Sequence, residues 1–412
     1  MEKIKFSIII PTRERADTLV HCLRTVVAQD YENLEIIVSD NFSQDNTREV
    51  VSTFSDPRIK YVNTGKRVSM SHNYEFALSH VTDGWVSIIG DDDGLLTGAL
   101  TIVADVIKKT GCQAITSLWC GYAWPNSCIW DNRLIVPLTA GIELRNGRKW
   151  LGKLMRGEAT YFDLPRLYVG GFVDIQAINR ARTSSGAFFL SMIPDVYSAL
   201  ALASVLDTYV ILKKPVSIGG QSSHSIGASY FGTGKGIVPA QEFLSEENIP
   251  FHRLLADREI PKSIPIIVYE IYLQSMHLHH DFLKIKLEDQ LSLALADMAN
   301  IDYAKLRKYC SRVAHDNNIN MDIIYKKIKR YRLRLFIQQL KKLYYYIFKQ
   351  LIISTKEYGI KDVFGASILA KAIYLHETRC ANWKSDNLFQ LIKGFKLILD
   401  RINNNKRVSE NP

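Results

Sequence analysis

The chain has 412 residues, 47% of them hydrophobic and 23% charged, with a formal net charge of +10. That length exceeds what one hydrophobic core usually serves, so two or more domains are expected, and the composition is that of a globular rather than a disordered chain. No apolar stretch approaches the roughly 20 residues needed to span a bilayer. The opening MEKIKFSIIIPTRER has too short an apolar run for a signal peptide, so a cytoplasmic protein is expected.

The first 120 residues alternate between short β-branched runs and amphipathic helical patterns. Strands are expected at 6–11, 34–39, 59–63, 85–89 and 114–118, and helices near 17–28, 47–54, 69–81 and 97–108. Asp17 is the expected N-cap of the first helix, and Ser43 or Asp45 that of the second. All-apolar strands alternating with helices predict an α/β fold, a mostly parallel Rossmann-like sheet covered on both faces. Ligands of such sheets sit beyond the carboxyl ends of the strands. Those ends are polar here: Pro11, Thr12, Arg13 and Glu14 after strand one, Asp40 and Asn41 after strand two, Lys66 and Arg67 after strand three, and Asp91, Asp92 and Asp93 after strand four.

From about 124 to 170 the pattern loosens into an insertion with one helix near 148–156. Order returns at 173–180, with a helix starting near Pro194-Asp195 and strands at 208–212 and 216–218. A Gly/Ser-rich loop, GGQSSHSIGASYFGTGKG, follows. Beyond about 239 the sequence reads as helical throughout. Two domains follow: 1–238, with the insertion, and a helical 239–412. The six cysteines Cys22, Cys112, Cys120, Cys128, Cys310 and Cys380 form no CxxC pair and no zinc-finger spacing, and read as reduced, mostly buried thiols.

The sharpest motif is GDDDG after the apolar run WVSII. Three adjacent carboxylates repel one another, and a hard divalent ion such as Mg²⁺ or Mn²⁺ relieves that repulsion while leaving positions open for a diphosphate. Strand alternation puts Asp91 and Asp93 on one face and Asp92 on the other. His224 is a candidate third metal ligand or diphosphate contact, with Ser223 and Ser225 as donors to phosphate. Lys235 in GTGKG lacks the spacing of a phosphate loop.

SIIIPTRERADTL, then LRTVVAQDYENLEIIVSDNFSQDNT with Gln29 before the second strand, and then MSHNYEFALSHVTDGWVSIIGDDDGLL resemble glycosyltransferase family 2, whose members have the GT-A fold and invert. The resemblance runs from Phe6 to about Ser225. It implies a nucleotide-diphosphate sugar as donor, a UDP-sugar in the first place, and a divalent metal. It implies that Thr12, Arg13 and Glu14 rim the nucleotide pocket, that Asp40 and Asn41 meet base and ribose, that Asn73 belongs to the donor site, and that Asp93 is the main metal ligand with Asp91 and Asp92 near ribose and sugar. Two positions depart from the family pattern: Asn41 replaces an acid that often reads uracil, and His72 replaces an Arg. The acid the family uses to deprotonate the acceptor matches Asp195 in SMIPDVYSALALA; the alternative is a cap of that helix, for which Ser191 is also available. A surface polysaccharide or glycolipid, built on a glycan or lipid-linked acceptor, is the expected product. A nucleotidyltransferase is disfavoured by PTRER, which stands where that class has a Gly-rich basic loop; a non-catalytic module of the same fold stays open.

Residues 321–350 hold nine Lys and Arg against one acid, Asp322. Ile324, Ile328, Tyr331, Leu335, Leu340, Leu343, Ile347 and Leu351 recur at helical spacing there, so 321–354 suits either an anionic membrane surface or packing against the rest of the chain. A nucleic-acid role has no use for a sugar-transfer site, and no nucleic-acid partner is expected.

Overall fold

The computed structural model describes residues 3–125, 127, 132–225, 243, 246–255, 261–279, 281–297 and 302–379. Cys128, Cys380, Lys235 and the Gly/Ser-rich loop beyond Ser225 lie outside the described residues. In chain order the elements are β1 (Phe6–Thr12), α1 (Ala16–Val27), β2 (Leu34–Asp40), α2 (Thr47–Ser52), β3 (Ile59–Asn63), α3 (Met70–Leu78), β4 (Trp85–Ile88), β5 (Gly94–Leu95), α4 (Ala99–Thr110) and β6 (Ala114–Ala123). Then come β7 (Arg133–Pro137), β8 (Ile142–Asn146), α5 (Gly147–Met155), β9 (Gly171–Asp174), α6 (Ile175–Arg180), α7 (Pro194–Val205) and β10 (Thr208–Gln221). The last are α8 (Ile264–Gln274), α9 (Leu287–Ala296), α10 (Tyr303–Asp316), α11 (Met321–Phe348), β11 (Gln350–Ser354) and α12 (Val363–Arg379).

These elements divide into two compact units. The first comprises Met1–Trp150, Phe162–Pro250 and Leu351–Arg379; Leu151–Tyr161 and Phe251–Gln350 belong to the second. The division is therefore not one cut near residue 239. β11 joins the sheet beside β7, so a strand follows the helical stretch.

The sheet of the first unit runs β11-β7-β6-β9-β4-β1-β2-β3, with β10 pairing β5, β6 and β8. β3, β2, β1 and β4 are parallel neighbours, as helical crossovers between all-apolar strands require. The other half is mixed: β9 runs antiparallel to β4 and β6, and β10 runs parallel to β6 but antiparallel to β5 and β8. The α/β class holds, with a sheet that is mixed rather than mostly parallel. The two strands expected at 208–212 and 216–218 are one strand, β10, whose register shifts between Leu212 and Ser217. Pro215 lies within the shift and offers no N–H to a ladder. The region 124–170 contains two strands, β7 and β8, besides its helix.

Capping also departs from expectation. Arg15, not Asp17, is the N-cap of α1, and Asp45 Oδ2 reaches across to accept from Ala16 N at 3.0 Å. Asp45 Oδ1 accepts from Thr47 N at 3.0 Å at the start of α2, one position outside its Asn46 cap. One carboxylate thus serves two helix starts.

Buried apolar side chains of β1, β2, α1 and α4 form one core cluster. A second joins β6, β7 and α12. Gln29 is the polar clamp of the first. Its Nε2 donates to the carbonyls of Thr25 at 3.0 Å and Leu96 at 3.2 Å, and its Oε1 accepts from Ala99 N at 3.1 Å. It thereby fastens the end of α1 to the start of α4.

In the second unit α9 packs against α11. Ser292 Oγ donates to Ile324 O at 3.1 Å, Lys327 pairs with Asp289 at 2.9 Å, and Ile324, Ile328 and Tyr331 are buried.

Gln29→Leu keeps the volume but removes all three side-chain hydrogen bonds of the clamp, at about 0.5–1.5 kcal/mol for each, while Ala99 N–H and Leu96 O keep their own bond at 3.0 Å. The expected outcome is a fall in melting temperature of roughly 5–15 °C by circular dichroism; an unchanged midpoint would refute the clamp.

Candidate active site

Parallel register brings the polar strand ends to one edge. Thr12 lies opposite Asp40 across β1 and β2, and Asp40 lies opposite Asn63 across β2 and β3. Thr12 Oγ1 donates to Asp91 Oδ2 at 2.8 Å, tying the end of β1 to the acidic segment beyond β4.

β4 ends at Ile88, and Asp91, Asp92 and Asp93 form a turn in which Asp93 N donates to Gly90 O at 3.1 Å. Strand alternation therefore does not divide them. All three point inward, at 1%, 5% and 3% exposure. Asp91 Oδ1 accepts from Arg15 Nη1 at 3.1 Å. Asp92 Oδ2 accepts from Ser222 Oγ at 2.7 Å, Ser225 Oγ at 2.7 Å and Ser222 N at 3.2 Å. Asp93 accepts from Gly220 N on Oδ1 and Gly90 N on Oδ2, each at 2.7 Å. The acidic turn is thus held from β1 on one side and from the end of β10 on the other. Arg15 closes the ring, its Nη2 donating to His224 O at 2.6 Å.

The electrostatics are unbalanced. Three carboxylates face one guanidinium. Burial pushes the Asp91 carboxyl up despite Arg15, and burial and then Asp92 push Asp93 well above the carboxylate range. Over Gly90, the position a Cβ would take lies 2.8 Å from Asp93 Oδ2, 3.0 Å from the Tyr168 hydroxyl and 3.3 Å from Asp92 Oδ1. Hard oxygens converging in a pocket of excess negative charge fit a divalent cation that keeps other coordination positions for a ligand. Asp92 and Asp93 could supply those oxygens. His224, the expected third ligand, has its Nε2 3.7 Å from Asp17 Oδ2. Among the described residues, no three His, Cys, Asp or Glu side chains are grouped as metal ligands.

Asp195 stands in the first turn of α7, which begins at Pro194 and has Ile193 as its N-cap. Ser191 is not the cap; its carbonyl accepts from Ser71 Oγ at 2.6 Å. Burial raises the Asp195 carboxyl, and the Val196 amide and Arg166 partly offset that rise. Two tyrosines connect Asp195 to the acidic turn. The Tyr74 phenol is raised first by burial and then by the charges of Asp195, Asp93 and Asp91. Tyr168 is raised by burial and then by Asp93, Tyr74, Asp92 and Asp195. Asp195 and the acidic turn therefore share one electrostatic neighbourhood.

Other expected contacts serve the protein itself. Asp40 accepts from Ser43 N and Oγ on one oxygen and from Tyr61 and Asn63 on the other. Asn41 pairs with the backbone of Val68, its Nδ2 donating to the carbonyl at 2.7 Å and its Oδ1 accepting from the amide at 2.9 Å. Asn73 Oδ1 accepts from Ser39 Oγ at 2.7 Å. Glu14, at φ 52°, accepts from the amides of Gln44 and Asp45. These four brace the loops around the edge. Arg13 pairs with Glu246, whose carboxylate also lies 3.7 Å from Arg67. Lys66 is exposed and Pro11 half-buried.

Arg15, Tyr74, Tyr168, Ser222 and Glu246 were not singled out from the sequence. Arg15 stands two residues beyond Arg13 and is distinguishable only by direction, whereas Tyr168 lies in the loosely patterned insertion and carries no local signal.

Residues 7–156 match the family model described as Glycosyl transferase family 2. GalNAc(5)-diNAcBac-PP-undecaprenol beta-1,3-glucosyltransferase of Campylobacter jejuni is 38% identical over 100 residues, 24% of this chain and 32% of that protein. UDP-Glc:alpha-D-GlcNAc-diphosphoundecaprenol beta-1,3-glucosyltransferase WfgD of Escherichia coli is 28% identical over 109 residues, 26% of this chain and 43% of that protein. The chain thus spans less than half the length of either relative. The crystal structure of S. aureus TarS 1-349 in complex with UDP-GlcNAc aligns with 82% of this chain and 92% of its own at 13% identity and a TM-score of 0.44, a likeness too low to carry a functional argument.

The seam between the acidic turn and β10 is testable at Gly220. A Cβ there would lie 1.7 Å from Asp92 O and 2.9 Å from the Trp124 indole nitrogen, and a backbone carbonyl cannot yield as a flexible side chain can. Gly220→Ala is expected to cost more than about 2 kcal/mol in urea unfolding. Gly186→Ala, a site with open space but φ +87°, is expected to cost about 1 kcal/mol. Equal costs would sink the close approach.

Proposed function

For a chain whose residues 7–156 belong to glycosyltransferase family 2, we propose that the first unit transfers a sugar, with inversion, from a nucleotide-diphosphate sugar to an acceptor hydroxyl. The observation that carries this reading is the shared neighbourhood of a buried triple-carboxylate turn and a raised, half-buried Asp195. Inversion needs one displacement, with a base on the acceptor side and a stabilised leaving group opposite. Asp195 is the base: it takes the acceptor proton as the hydroxyl attacks the anomeric carbon, and its raised pKa improves the match to a neutral working pH. A divalent ion bound by Asp92 and Asp93 would supply electrostatic stabilisation to the departing diphosphate. Asp91, fixed by Thr12 and Arg15, keeps the turn in place, and Lys66 and Arg67 offer positive charge at the rim.

A UDP-sugar donor is supported by the name of the Escherichia relative, and a lipid-linked acceptor by the undecaprenol-linked substrates in both relatives' names. Such an acceptor would bring the protein to the inner face of a plasma membrane as a peripheral protein, in surface polysaccharide or glycolipid assembly. The non-catalytic alternative differs in one outcome, turnover.

Asp195→Asn is expected to lower kcat by about 10²–10⁴-fold while leaving the donor-induced thermal shift intact; wild-type turnover in this variant would overturn the mechanism. The acidic limb of the wild-type pH–rate profile should lie above an ordinary Asp value, because activity is lost as pH falls through the raised pKa of the base. A UDP-sugar is expected to raise the melting temperature when Mn²⁺ is present and not when it is chelated, and Asp93→Asn to abolish that metal-dependent difference. Stabilisation by the UDP-sugar regardless of metal would remove the cation from the proposal.

A further inference from the structure

α11 has two apolar faces. At 100° per residue, Ile324, Ile328 and Tyr331 project to one side, where they are buried against α9. Leu333, Phe336, Ile337, Leu340, Tyr344 and Phe348 project to roughly the opposite side, at i, i+3, i+4, i+7, i+11 and i+15. These six are between 40% and 60% exposed. The packed face holds the helix in its unit and leaves the second stripe half-exposed, with Ile347 on the same side the one buried member. An apolar stripe about four turns long marks an interaction surface rather than scattered exposure.

The charge around the stripe selects the occupant. Lys326, Lys329 and Arg330 lie on the stripe's side of the helix one to two turns before it, and Arg332 and Lys341 flank it. All five are exposed and form no ion pair among the described residues. The cations that are paired, Lys327 with Glu288 and Asp289 and Arg334 with Glu158, face the unit instead. Asp322 is the one acid of the helix. Tyr344 and Phe348 are in ring contact at 5.2 Å, with the Lys349 ammonium 6.0 Å from the Tyr344 ring centroid, an aromatic and cationic pairing suited to the headgroup boundary. A protein partner would need a matching acidic frame around an apolar groove. An anionic bilayer meets both requirements at once, with acyl chains under the stripe and phosphates beside the cations.

We propose that α11 lies on an anionic lipid surface through Leu333, Phe336, Ile337, Leu340, Tyr344 and Phe348, with its unpaired cations against the headgroups. The inference is independent of sugar transfer, because vesicle binding needs no donor; either reading can fail without the other. The test is flotation of the full chain with vesicles of phosphatidylcholine alone and of phosphatidylcholine mixed with phosphatidylglycerol in equal parts. The wild type is expected to float with the mixed vesicles and to fall off as salt rises. Combined Leu333→Ser, Phe336→Ser and Leu340→Ser should lower the bound fraction at least about tenfold. Combined Lys329→Glu and Arg332→Glu should lower it roughly fivefold for each cation lost, only on the mixed vesicles. All substituted positions are exposed, so both variants should keep the wild-type melting temperature. Absence of wild-type flotation, or flotation that survives the serine substitutions, overturns the proposal. So does a dimer in light scattering that those substitutions dissolve, which would assign the stripe to a second copy of the chain.

Discussion

Carboxylates at consecutive positions repel, and each loses its hydration when buried, so Asp91, Asp92 and Asp93 can share one inward turn only where donors from distant parts of the chain meet them. The first unit supplies those donors from three directions: Thr12 and Arg15 after β1, the Gly90 amide within the turn, and Gly220, Ser222 and Ser225 at the end of β10. Even so the charge is unbalanced, since among the described residues Arg15 is the one guanidinium bonded to the turn, and burial raises the carboxyls of Asp91 and Asp93. The charges of that turn reach Tyr74 and Tyr168, which also sense Asp195.

The two halves of the sheet have separate tasks. The parallel strands β3, β2, β1 and β4 align polar ends at one edge, because parallel register with crossover helices brings every carboxyl end to the same side. The mixed strands return β10 beside that edge, so that Gly220 can approach the acidic turn more closely than any Cβ would permit. Many of the polar groups at the edge are spent on the loops themselves. Asp40, Asn41 and Glu14 each satisfy backbone or side-chain donors of neighbouring segments, which braces the rim.

The helical unit illustrates how one amphipathic sequence can serve two surfaces. Ile324, Ile328 and Tyr331 hold α11 to α9, while Leu333, Phe336, Ile337, Leu340, Tyr344 and Phe348 carry apolar area away from that contact, beside cations such as Lys329 and Arg332 that form no ion pair among the described residues. Among the described residues no helix is long and apolar enough to cross a membrane.

Much of the first unit was legible in the sequence because its signals are local. All-apolar strands separated by amphipathic helices specify a parallel α/β half by periodicity alone, and GDDDG stands out since adjacent acids after a buried strand require a reason. Asp195 was expected at a helix start, and it stands in the first turn of α7. Tertiary structure decided what local signals cannot carry. The inward direction of all three aspartates follows from a turn, where the two-residue alternation of a strand no longer applies. Asn41 and Asn73 turned out to be engaged within the protein because their partners, Val68 and Ser39, lie 27 and 34 residues away. Arg15 and Tyr168 joined the site through contacts and fields that cross β1, β10 and the insertion. The placement of β11 and α12 in the first unit, and the division of α11 into a packed and an open face, likewise depend on which surfaces meet in space, which periodicity reports only as apolar.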